Sequence, residues 1–236
     1  KTLQVRPPLN VDLLFFLPPS EHARFEQRAG NKQSQLLQDV KSVLERTYGE
    51  TTMRGDGQVV VVQFASTPVE VIPAFVLGDG TYWICDTWNG GRYVQTAPHE
   101  EIQALDVSDT ANSGATRRLI RMTKQWQRHC NVPIKSFQLE RIAIEFLGWW
   151  PYSRDLFWVD WMVRDFFAYL ASRAGGTIIM PRTNAAVALG NAWESRARTA
   201  HAAATRAFDY ERDNENILAG LEWQSIFGTL IALAVT

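Results

Sequence analysis

Three oxygen-bearing side chains stand out for the chemistry they could share. Asn10-Val11-Asp12 opens the first apolar run of the chain, and Glu70 sits within Val69-Glu70-Val71-Ile72-Pro73-Ala74-Phe75. Positions i and i+2 of a strand share a face, so Asn10 and Asp12 point the same way. If the strand of Glu70 pairs with theirs, the three converge. Such a set suits Mg²⁺ (or Mn²⁺), a hard cation that holds few protein carboxylates and takes its other ligands from water and phosphate. Solvated acids at strand ends are the plainer alternative. Against it, Glu70 is embedded among apolar residues, where an unpartnered charge is costly.

A second group is cationic. Arg117, Arg121, Lys124 and Arg128 recur at helical spacing, with Arg118 beside them, and form one broad face. That face is either an anion site or a solvated basic surface. Other features read more simply. Trp149, Trp150, Trp158 and Trp161, with Phe157, Phe166 and Phe167, suit helix packing better than a base-stacking ladder. Gly90-Gly91 is a turn, since no phosphate-loop pattern follows it. Arg196, Arg198, Arg206 and Arg212 suit a solvated face or a protein partner. Ser20 and His22 lack the surroundings of a hydrolase nucleophile.

The elements that must position these residues differ between the two halves of the chain. Val11 to Leu17, closed by Pro18-Pro19, reads as a central strand covered on both faces. Ser20 is expected to cap a short helix to Gln27. Leu36, Leu37, Val40, Val43 and Leu44 mark a longer helix ending near Tyr48-Gly49. Strands are expected over 58–64, 69–75 and 81–85, bounded by Asp56-Gly57 and Ser66-Thr67-Pro68. From Ser113 onward the pattern is almost wholly helical, with helices over about 115–129, 136–147, 154–173, 184–212 and 215–233. The run Ile226 to Val235 is shorter than the ~20 residues a membrane span needs. An α+β fold follows, a mixed sheet lobe and then a helical lobe.

Composition narrows the function classes. The chain has 236 residues, 46% of them hydrophobic, and 24 Lys plus Arg against 25 Asp plus Glu. No global basic field exists for a long nucleic acid. Two cysteines and four histidines without ligand spacing point away from a zinc cage or disulfide framework and toward a reducing cytoplasm.

The order of several motifs makes the chain similar to a known family. The run from Lys1 to Leu17 resembles the first catalytic strand of polymerase-beta-like nucleotidyltransferases. More specifically it resembles the bacterial cGAS/DncV-like enzymes (CD-NTases) and the oligoadenylate synthases. There an Asp-x-Asp pair follows a Gly-Ser turn, and a third acid lies in a motif like Val69-Glu70-Val71-Ile72-Pro73-Ala74-Phe75. Tyr82-Trp83-Ile84-Cys85-Asp86-Thr87, Gly90-Gly91 and Thr96-Ala97-Pro98 look like the family's Asp-Thr loop. Leu119-Ile120-Arg121-Met122-Thr123-Lys124-Gln125-Trp126 resembles its Arg-x-x-Lys-x-Trp helix. The likeness extends from Lys1 to about Leu147. It departs in two places. The Gly-Ser turn and the family's N-terminal spine helix would precede Lys1, so the sequence is expected to be a piece of something longer. Asn10 stands where the first catalytic Asp belongs, leaving two carboxylates rather than three.

The resemblance implies a nucleotidyltransferase palm with a mixed twisted sheet over residues 1–108 and a helical lobe over 109–236, with a nucleotide cleft between them. It implies that Asp12, Glu70 and, weakly, Asn10 hold two divalent ions. It further implies that Lys124 and Arg121 meet the triphosphate, that Trp126 lies in the core, that Ser136 contacts phosphate, and that Phe137 stacks on a base. The implied activity joins nucleoside triphosphates (ATP, or GTP or a pyrimidine NTP) into a cyclic di- or trinucleotide or a short oligonucleotide. The implied setting is anti-phage signalling (CBASS), with an accessory or activator protein and no membrane. Two rivals remain: a catalytically silent nucleotide-binding module, favoured by Asn10, and a nucleotidyltransferase acting on RNA or a small acceptor.

Overall fold

The computed structural model describes residues 11–155, 157–229, 231 and 233. These form two compact units that divide between His99 and Glu100. The first contains β1 (Val11–Phe16), α1 (Pro19–Glu26), α2 (Lys32–Thr47), β2 (Met53–Asp56), β3 (Val59–Gln63), β4 (Pro68–Val76), β5 (Tyr82–Asp86) and β6 (Arg92–Thr96). Strands β2-β3-β4-β5-β6 run antiparallel in that order, and β1 pairs with β4 in parallel, so the sheet is mixed as expected.

β4 is the hub of this sheet. β1 runs beside Val69–Ala74 and β3 beside Pro68–Val71, and that overlap places them on opposite edges of β4. β5 pairs with Ala74–Val76, beyond the end of β3 and on the edge opposite β1, since Ala74 is flanked by both Phe16 and Ile84. The β-branched run of β3 fits a pleated, half-buried surface. Its Val60 and Val62 join Val71, Phe75 and Cys85 in a core closed by Phe25 of α1 and by Leu36 and Leu37 of α2. Asn31 starts α2 by accepting a hydrogen bond from the Ser34 amide at 2.8 Å.

Several expectations are corrected here. β1 is not covered on both faces: Val11, Leu13, Phe15 and Phe16 are exposed. The core helices pack with β2 to β5 rather than over β1, and a continuous apolar run does not reveal that. Ser20 is not the cap of α1. Pro18 holds that position at φ −68°, with Pro19 first in the helix, where its missing N–H costs nothing. β2 and β6 are additional strands. β2 and β3 form a hairpin through Gly57, at φ +61°, in the Asp56-Gly57 turn.

The second unit begins within α3 (Pro98–Ala111), a helix the sequence pattern does not reveal; residues 108 and 109 fall inside it. It continues with α4 (Ala115–His129), α5 (Ser136–Leu147), α6 (Val159–Ser172), β7 (Thr177–Ile179), β8 (Ala186–Ala188), α7 (Glu194–Arg212) and α8 (Asn216–Phe227). α4 and α5 match the expected helices. The region expected to be helical from residue 184 instead opens with a two-stranded hairpin, in which Ile178 pairs with Val187. α6 starts five residues later than expected, and α8 stops at Gly228, where φ is +80°. α7 buries Ala197, Ala200, Ala203, Ala204 and Ala207, a small-residue face that lets α6 and α8 approach closely. Of the aromatic set, Trp150, Phe166 and Phe167 are buried as packing residues, whereas Trp149 and Phe157 are exposed. No helix among the described residues is long and apolar enough to cross a membrane.

Candidate active site

Strand alternation explains how a carboxylate lies within an apolar run. Val71 enters the helix-covered core and Val69 packs against it, so Glu70 between them points to the opposite face of the sheet. The parallel register places Asp12 directly beside Glu70, and Val61 of β3 lies on the other side of Glu70. Register partners on neighbouring strands share a face and stand ~4.8 Å apart in the hydrogen-bonding direction. Two carboxylates therefore stand side by side, both half-buried. Below them on this face come Leu14 with Ile72, then Phe16 with Ala74 and Ile84. Phe16 stacks on Tyr82, with centroids 5.2 Å apart and planes at 24°.

Asn10 lies outside the described residues. Among the described residues no three His, Cys, Asp or Glu side chains converge as metal ligands. The Asp12–Glu70 pair itself fits Mg²⁺ by donor chemistry. That ion binds through one or two carboxylates and completes its shell with water and substrate phosphate.

The turn after β5 is held rigidly. Buried Asp86 accepts hydrogen bonds from the Trp88 amide at 3.1 Å and from Arg92 Nε at 2.9 Å. Asn31 Nδ2 donates to the Thr87 carbonyl at 2.9 Å. Gly91 sits at φ +90°, and a Cβ there would run into Asn31 Oδ1 and come within 2.6 Å of Gln33 Oε1. The Gly90-Gly91 pair is a turn, and its second glycine is required sterically.

In the second unit, α4 and α5 pack side by side and carry the expected phosphate- and base-contacting residues. Lys124 is buried and its Nζ lies 2.5 Å from Glu140 Oε1. Trp126 is fully buried, edge-on to Phe167. Arg121 is exposed, whereas Arg117 is held by Asp106 and, at 2.8 Å, by Asp109. The cationic stripe is thus divided between groups bound within the protein and groups facing solvent. Ser136 is exposed at the start of α5 and donates to Gln127 Oε1 at 3.2 Å; Phe137 is half-buried. Sequence reasoning misses Glu140, the partner of Lys124, and Glu101, which lies within reach of the Glu140 charge. Glu101 is half-buried. Desolvation, then the charges of Glu140 and Glu100, push its carboxyl above the usual range, with Arg141 opposing. Glu140 stands 16 residues from Lys124 on another helix, so no local spacing signals the pair.

Comparisons with known proteins bear on both units. Residues 2–108 match the model of the Second Messenger Oligonucleotide or Dinucleotide Synthetase domain. A search of curated proteins returned no match. Solved structures do match. Escherichia coli MS115-1 CdnC with ATP is 17% identical over 96% of this chain and 80% of its own, with a TM-score of 0.69. The CdnC complex with HORMA-deltaN gives 18%, 94%, 77% and 0.68. Vibrio cholerae DncV, a cyclic AMP-GMP synthase in complex with a linear intermediate, gives 12%, 99%, 69% and 0.74. At these identities the likeness is one of fold, and the fold is that of the nucleotidyltransferases which the sequence resembles.

Proposed function

We propose, from the match of residues 2–108 to the second messenger oligonucleotide or dinucleotide synthetase domain, that the chain joins nucleoside triphosphates into a cyclic di- or trinucleotide or a short oligonucleotide. The observation that carries this reading is the direct pairing of Asp12 with Glu70 on one sheet face. In the reaction, a ribose hydroxyl oxygen bonds to the α-phosphorus of a second nucleotide, the bond from that phosphorus to the bridging oxygen breaks, and pyrophosphate leaves. Asp12 and Glu70 are the residues that would hold divalent ions. Such ions, when bound, lower the pKa of the hydroxyl and neutralise the phosphate charge. Glu70 would hold an ion near the hydroxyl and accept its proton, and Asp12 would contact both ions. Lys124 supplies a positive charge for the triphosphate, Arg121 adds to it from solvent, Ser136 donates to a phosphate oxygen, and Phe137 offers a ring face to a base.

The setting we assign is anti-phage signalling in the cytoplasm. The complex of CdnC with HORMA-deltaN supports an accessory protein as a further partner. ATP in a CdnC structure and the linear intermediate in DncV support purine triphosphates as substrates. Asn10 favours a second reading, a nucleotide-binding module without turnover, because it removes one carboxylate from the set.

One assay separates these readings. The full chain is incubated with labelled NTPs and Mg²⁺ or Mn²⁺, and the products are treated with phosphatase. Resistant label supports a cyclic product, and a label trimmed at its 5′ end supports a linear oligomer. Nucleotide binding without product supports the silent module. Label transferred only to added RNA or a small acceptor overturns second-messenger synthesis.

A further inference from the structure

The second unit gathers ionisable groups within reach of Glu140, the partner of Lys124, that the proposed reaction does not itself require. The Lys124–Glu140 pair is largely removed from water, with side-chain exposures of 9% and 21%. Glu101 lies close enough to Glu140, Arg141 and Glu100 for their charges to act on its carboxyl. Glu100 Oε2 and Arg141 Nε are buried with no hydrogen-bond partner. Glu140 thus stands between the Lys124 cation it holds and the Glu101 carboxyl its charge reaches. For an incoming polyphosphate that balance matters, because Glu140 cancels much of the attraction Lys124 exerts, and its effect is strongest where water is excluded.

We propose that Glu140 is a positioning residue that holds Lys124 in place while restraining its grip on polyphosphate, so that the pair sets triphosphate affinity and the ease of pyrophosphate release. This rests on the reading of Lys124 as a triphosphate contact. An ammonium carries three donors and can hold a carboxylate and a phosphate oxygen at once. The pair therefore stays together when nucleotide binds, and Glu140 moderates the charge the phosphates meet. A lysine without this counter-charge would bind triphosphate more tightly, and it would also retain the pyrophosphate that must leave.

The test uses the full chain with the α,β-methylene analogues of ATP and GTP in Mg²⁺, with AMP as the control lacking polyphosphate. Glu140→Gln keeps the shape and an acceptor oxygen but removes the charge. It is expected to tighten analogue binding roughly five- to tenfold, with AMP binding unchanged. Inhibition by added pyrophosphate should strengthen in parallel, and Glu140→Asp should restore wild-type affinity. Removing one partner of a desolvated pair also costs stability. Analogue-induced shifts in melting temperature are therefore read beside titration, so that a weakened fold still reports affinity. Lys124→Met separates the two levels. If it leaves analogue affinity unchanged, or if the wild type binds neither analogue, the reading of Lys124 falls and this proposal with it. If Lys124→Met weakens binding but Glu140→Gln fails to tighten it, the proposal alone is overturned.

Discussion

Asp12 and Glu70 occupy directly paired positions of two parallel strands, so their carboxylates share one sheet face without any loop to place them. The backbone ladder of β1 and β4 fixes their spacing, and a site built on strands is held more precisely than one built on loops. The apolar residues alternating with them anchor the same strands: Val71 is in the core and Val69 packs on it. The proposed chemistry and the core packing thus fall on opposite faces of β4.

Separating those faces has a measurable consequence. Asp12→Asn and Glu70→Gln remove charge from the face opposite the helix-covered core and leave the core face intact. Each is expected to lower nucleotidyl transfer by roughly 100-fold or more, the order lost when one preorganised charge-stabilising group is removed, while thermal unfolding stays close to wild type. A comparable loss of melting temperature in both variants would show that the pair is structural. Val71→Ala should do the reverse, lowering stability by about 1–3 kcal/mol as a buried aliphatic side chain is truncated.

Restoring a charge should act in the opposite direction. Asn10 is two residues before Asp12, and asparagine offers only a neutral carbonyl oxygen. Asn10→Asp is expected to raise Mg²⁺-dependent turnover by about tenfold or more and to lower the Mg²⁺ concentration needed for half activity, since Coulomb attraction for the ions grows with each carboxylate. Equal rates for both forms in a radiolabelled ATP/GTP assay would reject the assignment of position 10 to the site.

Much of this arrangement is legible in the amino-acid sequence, for physical reasons that can be named. The Glu70 strand stands out because a charge within a β-branched run demands an explanation, and strand alternation supplies one. α4 is legible from its Arg-x-x-Lys-x-Trp order, and Trp126 is buried as that resemblance implies. The hairpin of β7 and β8 is hidden because Ala186-Val187-Ala188 continues an alanine-rich composition into the helix that follows. α3 is hidden because its polar residues are spread around the helix, with only Leu105 buried. The exposure of β1 depends on where α1 and α2 lie, which a local apolar run does not encode. The partners of Lys124 escape notice because the contact joins two helices. Spacing within a chain reports neighbours on one element, not those that packing creates.

The packing of Trp126 gives α4 its depth. Its ring meets Phe167 of α6 edge-on, with centroids 4.9 Å apart. Trp126→Ala is expected to destabilise the protein by about 3–5 kcal/mol. Trp126→Phe should cost less, because a ring face remains. Chemical denaturation followed at equilibrium measures both, and equal costs for the two would mean that a phenyl ring recovers none of the packing of the indole.

The charge state of Glu101 sets a pH dependence whose sign is fixed by burial. Its folded pKa is raised above the ordinary 4.5, first by desolvation and then by Glu140, with Arg141 opposing and Glu100 adding. Between the unfolded and folded values the native state binds more protons than the unfolded one, so stability falls as pH rises through that window. Ionising this carboxyl in the folded protein puts a charge where burial disfavours it. Glu101→Gln removes that penalty and is expected to raise the melting temperature at pH 7 to 8, with little change near pH 4. The difference between variant and wild type should therefore grow with pH and level off once Glu101 is ionised in both states. A difference that shrinks as pH rises would mean that ionised Glu101 is held by a favourable partner, and the burial argument would be wrong.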